Sequence, residues 1–113
     1  MNEQGERAEA QAARYLDKHG LKILARNWHC RFGEIDLIAR DGAVLVFVEV
    51  RARASRSHGG AAESINAAKR KRLTAAANLY LARTRSDVPC RFDALLIEGD
   101  EHIQWIRNAF DAP

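Results

Sequence analysis

Three carboxylates stand at spacings that could build a cation site. In Gly33-Glu34-Ile35-Asp36-Leu37-Ile38 and Val46-Phe47-Val48-Glu49-Val50-Arg51, acids alternate with apolar residues, so on extended strands Glu34, Asp36 and Glu49 leave one face. The two segments flank Asp41-Gly42, a strong short-range hairpin signal. A two-residue loop at those positions sets Asp36 opposite Phe47 and Glu34 opposite Glu49, with Asp36 and Glu49 as diagonal neighbours about 7–8 Å apart. The reverse face carries Ile35, Leu37, Ala39, Val44, Val46, Val48 and Val50 and belongs to the core. Acids gathered on one face repel one another unless a cation lies among them. Oxygen ligands completed by water or phosphate suit Mg2+ or Mn2+ better than zinc. The competing reading is a wet face whose acids pair with Arg40, Arg51 or Arg53.

The elements that must position these groups follow from periodicity. Residues Glu3 to His19 read as a first helix, with Ala8, Ala12, Tyr15 and Leu16 in an apolar stripe and Gly20 ending it. Glu9 lies on the side of Ala12, Ala13 and Leu16, which aims a carboxylate at the body of the domain. Leu21 to Trp28 reads as a short strand, followed by the hairpin strands Glu34–Arg40 and Ala43–Arg51. After a Ser55-Arg56-Ser57-His58-Gly59-Gly60 loop, a long helix is expected from Ala61 to Arg83, with Lys69 in line with Ile65, Leu73, Ala76 and Tyr80. For Lys69 alone, snorkelling to the surface is the simpler reading. Strands Arg91–Glu98 and His102–Arg107 close the chain around Gly99-Asp100. The class is α/β in the broad sense, more narrowly α+β, in the order α-β-β-β-α-β-β.

A chain of 113 residues, 47% hydrophobic and 29% charged, suits one domain over residues 1–113 and excludes a disordered composition. No apolar h-region or spanning segment is present, so the expected setting is cytoplasmic with no membrane contact. Cys30 and Cys90 lack metal-ligand spacing and read as two reduced thiols. Charge is uneven. Residues 51 to 72 carry seven Lys and Arg against one acid, net +6; with a chain total of +3, the remainder carries −3. A basic block of this kind is expected either at a phosphate-gripping face or on a solvated helix surface.

With these residues in view, the chain resembles the PD-(D/E)XK nuclease superfamily, including archaeal Holliday-junction resolvases, and within it the bacterial YraN family. The resemblance rests on Gly5, Glu9, Ala12 and Tyr15-Leu16; Ala25-Arg26-Asn27-Trp28; the two acidic motifs; Gly60, Lys69 and Leu73; Arg91-Phe92-Asp93; and Asn108-Ala109-Phe110. It covers nearly the whole chain in order. It implies a restriction-endonuclease-like core, a mixed sheet flanked by helices, and a Mg2+- or Mn2+-dependent endonuclease acting on DNA, branched or single-stranded. Asp36, Glu49 and the backbone carbonyl of Val50 would be metal ligands, and Glu9 would support the metal directly or through water. Junction-cutting relatives by fold are dimers, which makes a homodimer an expectation here. Glu34, Arg26 and Asp93 receive no fixed role.

One position departs from the pattern: the motif lysine is replaced by Arg51. Arginine can stabilise a phosphate but cannot act as a base. Three consequences are open: Arg51 supports electrostatic catalysis alone, Lys69 reaches across as a migrated lysine, or the site binds nucleic acid without cutting. Arg53, Arg56, Lys69, Arg70, Lys71 and Arg72 would grip phosphates. The rival classes are a non-catalytic nucleic-acid-binding module and a protein-interaction adaptor presenting Trp105, Ile106 and Phe110.

Overall fold

The computed structural model describes residues 3–53, 65–99 and 102–111, with backbone alone at 3, 4 and 53. The Ser55–Gly60 loop, the expected helix start at 61–64, Arg56 and Asp100 lie outside the described residues. Seven elements follow in chain order: α1 (Glu3–Lys18), β1 (Lys22–Cys30), β2 (Gly33–Asp41), β3 (Val44–Arg53), α2 (Ala67–Thr84), β4 (Cys90–Glu98) and β5 (His102–Phe110). They form a five-stranded sheet in the order β1-β2-β3-β4-β5. All neighbours are antiparallel except β3 and β4, which α2 joins as a parallel pair. The expected order and class are therefore observed.

Each helix covers one sheet face. Ala8, Ala12 and Leu16 of α1 pack on Leu37, Ala39, Val46, Val48, Leu95 and Ile97. Leu73, Ala76 and Ala77 of α2, with Ile65, pack on Ile35, Ile38, Leu45, Phe47, Ala94 and Leu96. The competing reading of a wet acidic face does not hold: α2 packs over the sheet there, and Asp36 and Glu49 are buried at 8% and 5% exposure. The expected apolar face is split as well. Ile35 joins the α2 cluster while Leu37 and Ala39 join the α1 cluster, so strict alternation breaks between Ile35 and Leu37.

The register differs from the expected one by one residue on each strand. Asp41 pairs with Val44 and Leu37 with Val48, so the loop is Gly42-Ala43. Gly42 has φ +61 while Ala43 is not left-handed, the pattern of a type II′ turn, which wants glycine first. Carried on, this register would set Asp36 directly opposite Glu49, closer than the expected diagonal. The ladder stops at Leu37–Val48, and instead the Val50 N–H donates to Asp36 Oδ2 at 2.8 Å. A side-chain carboxylate has replaced a ladder acceptor.

Other boundaries shift as well, three of them with a visible cause. β1 extends to Cys30 and meets β2 through the two-residue tip Arg31-Phe32, since Cys30 pairs with Gly33. α2 begins at Ala67, not earlier, because the Asn66 side chain accepts the Lys69 N–H at 2.9 Å with its own backbone extended, as an N-cap does. β5 runs on to Phe110 through a bulge around Asn108, whose φ is +51.

Asp93 organises that bulge. It is fully buried and accepts hydrogen bonds from Arg91 Nε (3.0 Å), Trp105 Nε1 (3.0 Å) and the Asn108 N–H (3.0 Å). Arg91 Nη2 lies 3.0 Å from Asp41 Oδ2, which ties the β2–β3 turn to β4. Trp105 is half-buried with its polar atom engaged, and Phe110 is buried and stacked on Phe92. Phe110 thus belongs to the core, and Trp105 and Ile106 pack partly buried against it. Asp93→Ala leaves a guanidinium, an indole N–H and an amide without their acceptor. Urea unfolding should show a loss of about 3–5 kcal/mol; a loss under about 1 kcal/mol would deny Asp93 this structural role.

Candidate active site

Asp36 and Glu49 come together where β2 and β3 part. Their carboxyl groups are close enough to hydrogen-bond to each other, so one cation can reach both. Burial raises the Asp36 pKa, and the hydrogen bonds from Val50 and Glu49 only partly oppose it. Burial, then the Asp36 charge, lifts Glu49 to about 7 against the pull of Lys69 and Arg51. On α1, Glu9 is also lifted to about 7 by burial and then by Asp36 and Glu34, with Arg26 opposing. For all three carboxyls loss of water is the leading cause and a neighbouring carboxylate adds to it, more than the nearby cations offset.

The cations present approach without closing on them. Lys69 Nζ lies 3.6 Å from Glu49 Oε2, and Arg51 Nε lies 3.8 Å from Glu49 Oε1. Both distances exceed hydrogen-bond length. Among the described residues, Glu49 Oε2 and Arg51 Nε are buried without a hydrogen-bond partner. Lys69 therefore does not snorkel away; α2 carries it across to Glu49, with about a quarter of its side chain exposed. Among the described residues no three His, Cys, Asp or Glu side chains form a metal cluster. The donor set is a carboxylate pair with Glu9 behind it. Such a pair, completed by water, backbone or phosphate oxygen, is the sparse protein ligation that Mg2+ accepts.

Residues 8–97 match the model of an uncharacterised protein family, UPF0102. The chain belongs to this family. A UPF0102 protein of Nitrosomonas eutropha is 56% identical over 95% of this chain and 92% of its own length. One of Methylobacillus flagellatus is 53% identical over 99% of this chain and its entire length, and one of Pseudomonas putida is 46% identical over 95% and 91%. The UPF0102 family is the one the resemblance to YraN proteins pointed to.

Within this UPF0102 chain the expected basic residues divide. Lys69 and Arg72 line a shallow depression with Phe32, Gly33, Glu34 and Leu73. Arg70 turns elsewhere: its Nε donates to the Ile65 carbonyl at 2.9 Å and its guanidinium lies 5.5 Å over the Phe110 ring. Lys71 is exposed. Arg56 and the Arg53 side chain are outside the described residues. Glu34 is exposed on the rim and paired with His29 Nε2 at 2.9 Å. Val50 enters the site through its N–H on Asp36. Sequence reasoning missed Phe32 as a site neighbour; the clue was Gly33, whose φ of +124 serves a tight turn that holds Phe32 at its tip.

Because Asp36, Glu49 and Glu9 bind protons more tightly folded than unfolded, they favour folding most at low pH. That contribution is complete below the ordinary carboxyl range and is lost as pH rises through about 7. In metal-free buffer the melting temperature should fall between pH 5 and pH 8. Glu49→Gln, which cannot ionise, should be more stable than wild type at pH 8 by about 1–3 kcal/mol. A variant less stable at pH 8 than the wild type would show that Lys69 and Arg51 already neutralise the pair.

Proposed function

We propose that this protein is a divalent-metal-dependent deoxyribonuclease in which Asp36 and Glu49 hold Mg2+ or Mn2+, with the Val50 carbonyl as the third protein ligand. The observation that carries the reading is the buried, adjacent carboxyl pair with raised proton affinity, bracketed by Lys69 and Arg51. Mg2+ bound there supplies charge for the scissile phosphate and activates water. The chain's own groups do the rest. Lys69, at 3.6 Å from Glu49, orients the attacking water and faces the phosphate. Arg51 stays protonated and stabilises developing charge on phosphate oxygens without taking a proton. Glu9, close enough to Asp36 for their charges to interact, would support the metal directly or through water. Hydrolysis breaks the bond from phosphorus to the 3′ oxygen, which takes a proton, and leaves a 3′-hydroxyl and a 5′-phosphate.

A second reading has its own observation. Arg51 occupies the lysine position of the motif and its Nε makes no hydrogen bond among the described residues, which fits a module that binds DNA and does not cut it. One assay separates the two. Labelled linear, single-stranded and four-way-junction DNA are incubated with Mg2+, Mn2+ or EDTA and wild type, Asp36→Asn, Glu49→Gln, Lys69→Ala or Arg51→Lys. The expected result is metal-dependent cutting by wild type that falls about 100-fold or more in the two acid variants and in Lys69→Ala. Cutting that survives the acid variants places the activity elsewhere. Cutting gained only by Arg51→Lys makes the natural protein a binding module. In parallel, Mg2+ should raise the melting temperature of the wild type at pH 8 and leave Asp36→Asn unmoved.

A further inference from the structure

The β1–β2 tip stands beside the carboxyl pair and has no part in the chemistry above. Phe32 occupies it, and the Arg31 guanidinium lies 4.8 Å over the Phe32 ring. Phe32 packs partly on the core beneath it, and the exposed Arg31 side chain lies across its ring; a base can take the place of Arg31 on the ring or stack on the guanidinium, the two kinds of side-chain plane on which unpaired bases stack. Phe32 lines the shallow, open depression that it shares with Gly33, Glu34, Lys69, Arg72 and Leu73. The depression is continuous with the acid pair through Lys69, which lines it and also lies 3.6 Å from Glu49.

Charge in the depression suits a phosphate on either side of a base. Lys69 and Arg72 come from successive turns of α2, and α2 has no acid in its first turn to offset them. Among the described residues that line the depression Glu34 is the one acid, and its carboxylate is engaged by the His29 ring.

We propose that the Arg31-Phe32 tip and α2 form a subsite for one unpaired nucleotide, its base stacked on Phe32 and its phosphates held by Lys69 and Arg72. This rests on the nuclease reading for the choice of DNA and names its substrate class: a strand with at least one unstacked base next to the scissile phosphate. A base inside a duplex has both faces covered by its neighbours and has none to offer Phe32.

The test is binding in EDTA, where no cutting occurs. Fluorescence anisotropy compares a labelled oligo-dT of about 12 nucleotides, an abasic sugar–phosphate strand of equal length, and a blunt duplex. Wild type should prefer oligo-dT to the abasic strand by about 5- to 100-fold, from the usual worth of one base–aromatic stack. Phe32→Leu keeps apolar bulk for packing and should erase that preference, whereas Phe32→Tyr should retain it. Arg72→Ala should weaken both single strands alike and reduce the slope of log affinity against log salt by about 0.7. Melting curves establish that each variant is folded. Equal binding of oligo-dT and abasic strand by wild type, or an undiminished preference in folded Phe32→Leu, overturns the subsite. Failure of cleavage with the base preference intact overturns the nuclease reading alone.

Discussion

Two carboxylates buried side by side are unfavourable twice over, once for leaving water and once for facing each other. Much of the fold around Asp36 and Glu49 answers that cost. The β2–β3 ladder breaks after Leu37–Val48 so that the Val50 N–H can serve Asp36 in place of a backbone carbonyl. α2 crosses the same face and brings Lys69 towards Glu49, and β3 itself supplies Arg51 two residues on. These compensations are incomplete. Both cations stop short of hydrogen-bond distance, one Glu49 oxygen remains unmatched among the described residues, and the proton affinities stay high. Incomplete compensation at a buried site is where a cation or substrate gains most from binding.

Asp93 is the counterexample that makes the contrast meaningful. It too is a buried acid on a central strand, with less exposure than either member of the pair. Yet Arg91, Trp105 and the Asn108 amide all donate to it, and the second Arg91 nitrogen faces Asp41. A fully partnered buried acid stiffens a fold and has little left to offer a ligand. Neither burial nor acidity separates the two cases, whereas completeness of hydrogen bonding does.

The helix α2 shows how one basic run is divided by geometry. Residues 69 to 72 are consecutive cations, but a helix sends neighbours about 100° apart around its axis. Lys69 and Arg72, three apart, face the depression; Arg70 is drawn to the Ile65 carbonyl and Phe110; Lys71 faces solvent. A block that reads as one phosphate-gripping patch along the chain becomes a two-residue patch in space.

The alternation of acids with Ile, Val and Phe determined by itself that Asp36 and Glu49 sit on paired strands near one another, because side-chain period is a local property of extended backbone, although that period breaks at Asp36 itself. The Ala8, Ala12 and Leu16 stripe likewise determined α1, and the Asp41-Gly42 signal determined a hairpin. The exact loop was not legible there, since Asp41-Gly42 and Gly42-Ala43 both place glycine in a tight turn, and a one-residue slip on both strands leaves every face unchanged. Whether the acidic face was wet or roofed depended on α2, which no local pattern places. The same holds for the end of the ladder at Leu37, for the passage of Ile35 to the opposite cluster, and for Lys69 reaching Glu49 across nineteen intervening positions of chain. Local pattern sets which groups point together; only the packing of distant segments decides how deeply they are buried and which charges meet them.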